Sequence, residues 1–179
     1  IDRVVQVEGR AEVEQLSGGE PTTHPEFLRL LDYATSQAVD IVMINTNGLR
    51  FAHDPALVEA VARHRKRVEV YLQFDGFNDD GCEKLRGERL VETKLKTVEA
   101  LGKHGLRTIL VTTLHPGIND GDVGAIVKFE GDADEARRAQ HHDVHQIVGL
   151  GIAVELEARS VADQREEVGE RRASGPHRP

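Results

Sequence analysis

The sequence has one cysteine, one methionine and no tryptophan, and only 4% of its residues are aromatic. A lone thiol, Cys82, excludes an internal disulfide and any cluster site built from several thiolates of this chain, and it agrees with a reducing cytoplasm. No run approaches the roughly 18 apolar residues that a membrane span needs, so no span is expected. A formal net charge of -8 argues against general affinity for nucleic acid, which rests on clustered Lys and Arg. The opening Ile1-Asp2-Arg3 has neither a start methionine nor a charged leader before an apolar stretch, and it reads as a clipped piece. A chain of 179 residues is long enough for about one domain with a real core. These limits leave cytoplasmic small-molecule chemistry as the class to test.

Lysine and aromatic residues are also missing from the last part of the chain. The last lysine is Lys128 and the last aromatic is Phe129, with all five Phe and both Tyr at or before that point. Residues 1–129 therefore read as the folded core, and residues 130–179 as a polar Ala/Arg/Glu/His-rich tail, disordered or frame-shifted. Within the tail, residues 134–146 fit a polar helix, and residues 147–156 form its one apolar run. His141, His142 and His145 have the spacing of a helical zinc site, but solvated histidines in a polar tail account for them, and no metal site is assigned.

Before Phe129 the pattern is regular. Residues 11–17, 41–45, 68–74 and 108–113 are rich in Val, Ile, Leu and Thr, as buried parallel strands are. Leu28, Leu31, Ala34 and Ala38 repeat at helical spacing behind a capping-box pattern, Thr23-x-x-Glu26 with Pro25. Asp54-Pro55 opens a second helix that runs through Val61. Leu90, Leu95, Val98 and Leu101 belong to a third, which Gly105 ends. Strand alternating with helix gives βα units and a parallel sheet. Four strands cannot close an eight-stranded barrel, so the sheet is either open or part of a barrel.

Parallel α/β folds bind ligands at the carboxyl ends of their strands. Here those ends run into Ser17-Gly18-Gly19-Glu20-Pro21-Thr22, Asn45-Thr46-Asn47-Gly48, Gln73-Phe74-Asp75-Gly76 and Leu114-His115-Pro116-Gly117-Ile118-Asn119-Asp120. Gly18-Gly19 lets backbone carbonyls approach a ligand, and Glu20 places a carboxylate beside them, a set that suits an ammonium group. A plain turn with Glu20 capping the next helix explains the same residues. Thr46 and Asn47 offer short polar groups within ordinary Asn-Gly turn chemistry. Gln73 and Asp75, two apart, share a face and suit a ribose, although Asp75 before Gly76 is also a turn signal. His24 and His115 lie near strand ends, with His24 better assigned to the helix start. The basic run Arg63-His64-Arg65-Lys66-Arg67 reads as a solvated helix end.

The strand ends, taken in order, resemble those of the radical SAM superfamily over roughly residues 8 to 129. Gln15-Leu16-Ser17-Gly18-Gly19-Glu20-Pro21-Thr22 is similar to that family's Gly-Gly-Glu-Pro motif, and Lys84-Leu85-Arg86-Gly87 to its Leu/Ile-Arg-Gly. Gly117-Ile118-Asn119-Asp120 resembles the turn after its fifth strand. The Gln-Phe-Asp-Gly string resembles the branch of tetraether lipid synthase and a pterin methyltransferase relative, with some similarity to the molybdenum cofactor branch. The resemblance implies a partial (β/α) barrel, of TIM-barrel type, with S-adenosylmethionine across the strand ends. Gly18, Gly19 and Glu20 would hold the methionyl amino group, Thr46 and Asn47 would add polar contacts, and Gln73, Asp75 and Asn119 would serve the ribose or carboxylate.

The family's reaction begins on a [4Fe-4S] cluster, which cleaves the cofactor to a 5′-deoxyadenosyl radical that abstracts hydrogen from a substrate. Three cysteines hold that cluster, and they are missing here, so the chain is expected to be an inactive fragment on its own. The resemblance implies an electron donor such as a flavodoxin or ferredoxin and a small-molecule or lipid-like substrate that the sequence does not identify. A cluster-free module that binds S-adenosylmethionine or a nucleotide, or an inactive truncated product, is the competing reading. The family's sixth strand is not recognisable after Phe129, which suggests a shifted reading frame there.

Overall fold

A computed structural model of the chain describes residues 1–129 and 152–156. Five strands, β1 (Ala11–Leu16), β2 (Val39–Thr46), β3 (Val68–Gln73), β4 (Arg107–Leu114) and β5 (Ile152–Leu156), form one sheet in that order. Every neighbouring pair is parallel, with Val42 opposite Val68, Leu72 opposite Leu110 and Leu110 opposite Ile152. Parallel strands that follow one another in sequence order, as β1 to β4 do, put their intervening helices on a single face where the crossovers take the usual right hand. That is the construction of a (β/α) barrel rather than of a doubly wound sheet, whose order reverses. The choice left open by the sequence is settled as part of a barrel.

The helices are α1 (Asp2–Glu8), α2 (Phe27–Ser36), α3 (Leu49–His53), α4 (Pro55–Ala62), α5 (Asp79–Arg86) and α6 (Val91–Lys103), with residues 123–129 also helical. Period-2 alternation sends Val42, Ile44, Val70, Leu72 and Leu110 to the helical side, where each is fully buried against residues such as Leu31, Phe51, Val61 and Leu101. The opposite face, the inside of the barrel, is more open: Val13 is half exposed, and Met43, Tyr71 and Val111 are partly buried. No helix among the described residues is long and apolar enough to cross a membrane.

Three local expectations change. The helix after β1 does not start on a Thr23/Glu26 capping box. The Thr23 hydroxyl donates to the Glu20 carbonyl at 2.7 Å, and the Glu26 N–H goes to His24 Nδ1 at 3.1 Å. A 3-10 turn at Pro21–Thr23 therefore precedes α2, which begins at Phe27. The basic run is not simply solvated either. Arg67 donates to the carbonyls of Thr35 and Val39, and to that of Gln37 at 2.9 Å, closing the C-terminal end of α2. Finally, β5 lies within the one apolar run of the tail and supplies a strand that the sequence left unrecognised. The proposed polar helix and His141, His142 and His145 lie outside the described residues.

Candidate functional site

The carboxyl ends of β1 to β4 carry a continuous set of polar contacts. Glu20, just after β1, reaches across to the end of β2. Its Oε1 accepts from Thr22 N (3.1 Å), Thr22 Oγ1 (2.5 Å) and Thr46 Oγ1 (2.7 Å), while Oε2 accepts from Asn47 N at 2.7 Å. Bonds from several donors fix the direction of the carboxylate. Three donors crowd Oε1, whereas Oε2 has one and keeps acceptor capacity. Thr46, almost fully buried, also accepts from Gly48 N at 3.0 Å, and Asn47 Oδ1 accepts from Leu49 N at 3.0 Å. Asn47 Nδ2 is left as an open donor among the described residues.

Beside this bracket, Gly18 and Gly19 have φ of 101° and 50°, conformations that favour glycine. A Cβ at either would meet nothing within 4 Å, and no hydrogen bond among the described residues engages their peptide groups. These two glycines form an open backbone cradle next to a fixed carboxylate. Gly48 is glycine for a different reason. Its φ is 78°, and a Cβ would lie 2.3 Å from Leu72 Cδ1, so the turn after β2 sits directly on the β3 layer.

At the ends of β3 and β4 the bonds run inward. Asp75, nearly buried, accepts from Arg86 Nε (2.8 Å), Arg86 Nη2 (3.1 Å) and Thr113 N (3.2 Å). With its amide oxygen turned toward Arg86, Gln73 accepts from Arg86 Nη2 at 2.7 Å. Arg86 thus gathers Gln73, Asp75 and the Thr113 hydroxyl. Asn119 uses Nδ2 on the carbonyls of Asp75 (2.9 Å) and Thr113 (2.8 Å), and its Oδ1 accepts from His115 N (2.8 Å). Glu20, Thr46, Asn47, Gln73, Asp75 and Asn119 all lie along one rim, with Asp75 and Asn119 committed to holding it.

Two residues of this rim were missing from the sequence-based set. Arg86 belongs to the Leu-Arg-Gly string, which by itself assigns it no role. Lys94 is not singled out by any motif of the sequence. It is 3% exposed, and its ammonium donates to Gln73 O at 2.8 Å and to Asn47 O, linking the two halves of the rim. Burial drives its pKa down to about 8, with Arg86 acting in the same direction and Asp75, Cys82 and Glu20 opposing. The available signal was positional: Lys94, Thr97, Val98 and Leu101 form the buried stripe of α6, where a lysine needs a reason.

The family profile of the radical SAM superfamily matches residues 1–129. The chain belongs to the radical SAM superfamily. Among curated relatives, it is 32% identical to the 7,8-dihydro-6-hydroxymethylpterin dimethyltransferase of Methanocaldococcus jannaschii, over 64% of this chain and 22% of that protein. It is 32% identical to a mycofactocin maturase of Mycolicibacterium smegmatis, over 50% of this chain and 22% of the relative. With a probable GTP 3',8-cyclase of Thermococcus kodakarensis the identity is 28%, over 72% of this chain and 41% of that one. The chain thus spans well under two thirds of the relatives' own length. Their names point to three different reactions, so membership of the radical SAM superfamily assigns chemistry with S-adenosylmethionine in general and no particular substrate.

The two cofactors of this superfamily fit these residues differently. Cys82 is the only thiol, it is buried, and burial with the nearby Asp75 and Asp79 pushes its pKa up, which disfavours the thiolate that iron requires. Among the described residues no group of three or more His, Cys, Asp or Glu is placed to hold a metal ion. A [4Fe-4S] cluster does not fit the donors of this chain. The rim does suit S-adenosylmethionine, because an unengaged diglycine backbone beside a fixed carboxylate matches an ammonium-bearing ligand.

Proposed function

We propose that this chain is the S-adenosylmethionine-binding part of a radical SAM enzyme, with the open Gly18-Gly19 cradle beside Glu20 as the observation that carries the reading. Gly18 and Gly19 carbonyls and Glu20 Oε2 receive the methionyl amino group. Asn47 Nδ2 and the Gln73 side chain supply the polar contacts to carboxylate or ribose. Thr46, Asp75 and Asn119 act through the groups they hold, since their own hydrogen bonds are directed within the rim. When bound, S-adenosylmethionine supplies the 5′-deoxyadenosyl group from which the superfamily draws its radical chemistry. Because the residues present do not fit an iron-sulfur cluster, binding without turnover is the activity assigned to this chain.

Calorimetric titration with S-adenosylmethionine tests the reading. Saturable heat that Glu20→Gln weakens supports it, whereas a flat titration at millimolar ligand removes it. Anaerobic incubation with iron and sulfide is the companion test: this chain is expected to take up no [4Fe-4S] absorbance.

A further inference from the structure

We propose that Lys94 is a positioning residue of this site: its ammonium straps the turn after β2 to the end of β3 through the carbonyls of Asn47 and Gln73, so that its protonation governs ligand affinity. The inference rests on the reading of the site given above. A buried ammonium is costly unless it is hydrogen-bonded, and every other member of the α6 buried stripe is apolar or a threonine. Lys94 meets that cost with two carbonyls from two different strand ends, one of them at 2.8 Å.

The consequence lies in the peptide planes. Glu20 holds Asn47 N at 2.7 Å, and Thr46 Oγ1 holds Gly48 N at 3.0 Å. Lys94 holds the Asn47 carbonyl between them, and Thr97, one turn further along α6, donates to Gly48 O at 2.9 Å. With the backbone fixed at each of these points, Asn47 Nδ2 is the group left to face a ligand. On the other side, fixing Gln73 O sets the last residue of β3, whose side chain meets Arg86. The charged and titratable groups around the ammonium are Asp75 and Glu20, which favour it, Arg86, which opposes it, and the Cys82 thiol. Loss of the proton replaces two charge-assisted bonds by neutral ones of roughly half the strength, and the two turns loosen together.

The test compares wild type, Lys94→Gln and Lys94→Met in calorimetric titrations with S-adenosylmethionine at about pH 7 and about pH 9.5. The amino group of the ligand titrates near about 8 as well, so the quantity read is the ratio of variant to wild-type Kd at each pH, in which that effect cancels. We expect the variants to bind about tenfold more weakly near pH 7, with the ratio closing toward one at the higher pH. A second readout needs no ligand: hydrogen exchange at Asn47, Gly48 and Phe74 should quicken in Lys94→Gln near pH 7 while β4 amides stay unchanged. Lys94→Gln retains N–H donors and covers the case in which Lys94→Met does not fold. Equal affinities near pH 7, a ratio independent of pH, or unchanged exchange at both turns would each overturn the proposal. Wild type that gives no heat at either pH, with exchange still governed by Lys94, supports the strap and sinks the ligand assignment instead.

Discussion

Gly48→Ala isolates how tightly the turn after β2 is pressed onto the sheet. Two terms add. Holding alanine at the φ of 78° found here costs about 1 kcal/mol. The new Cβ would also lie 2.3 Å from Leu72 Cδ1 and 3.0 Å from Thr97 Cγ2, and both neighbours are fully buried, so relief requires shifts of the kind that cost about 1–3 kcal/mol. The expected loss is about 2–4 kcal/mol, or roughly 6–12 °C in Tm for a domain of this size. Gly87→Ala is the control: φ there is 80°, but nothing lies within 4 Å of a Cβ. That variant carries the backbone term alone, about 1 kcal/mol. Urea unfolding followed by circular dichroism gives both values, and the difference reports the crowding. Losses that agree within about 0.5 kcal/mol would show that the turn does not rest on Leu72 and Thr97.

Arg67→Met removes donors from the carbonyls of Thr35, Gln37 and Val39 and should cost about 2–3 kcal/mol, while Arg65→Met, on an exposed neighbour, should change urea stability by less than about 0.5 kcal/mol. Lys94 makes a signed contribution to pH dependence. Its folded pKa of about 8 lies below the ordinary 10.5, so the unfolded chain binds the proton more tightly, and this contribution to stability rises as pH climbs from about 8 to about 10.5. Cys82 opposes it with a raised folded pKa, whose contribution is lost over alkaline pH, so the slope is read as the difference between wild type and Lys94→Met, expected to span about 3 kcal/mol. A flat difference would contradict the buried ammonium. Cys82 should react with a thiol-specific disulfide reagent only as fast as the chain opens, and rapid labelling of the native protein would contradict its burial.

Much of the fold could be read in advance because β-branched runs at regular spacing, separated by amphipathic segments, admit few arrangements. The strand order could not, since periodicity is identical in an open sheet and in a barrel segment. β5 was missed because its run is short and lies in a polar neighbourhood, and only its pairing with β4 identifies it. At the site, glycines and short polar residues after each strand locate the rim but say nothing of the direction of its hydrogen bonds. Asp75, read from the sequence as a ribose contact or a turn residue, is clasped by Arg86, eleven residues away. The α2 start failed because the Thr23 hydroxyl donates to the Glu20 carbonyl instead of accepting from a helix N–H. Lys94 shows a signal that was present and unread: a charge at a core position of a helix marks a partner elsewhere in the fold.

Titration of the isotopically labelled chain with S-adenosylmethionine, followed residue by residue through its amide resonances, is the decisive measurement for a ligand site at the strand ends. Shifts should gather at Gly18, Gly19, Asn47 and Gln73, with the amides of α2 and α4 unmoved. Shifts centred on the helical layer, or none at millimolar ligand, would contradict it.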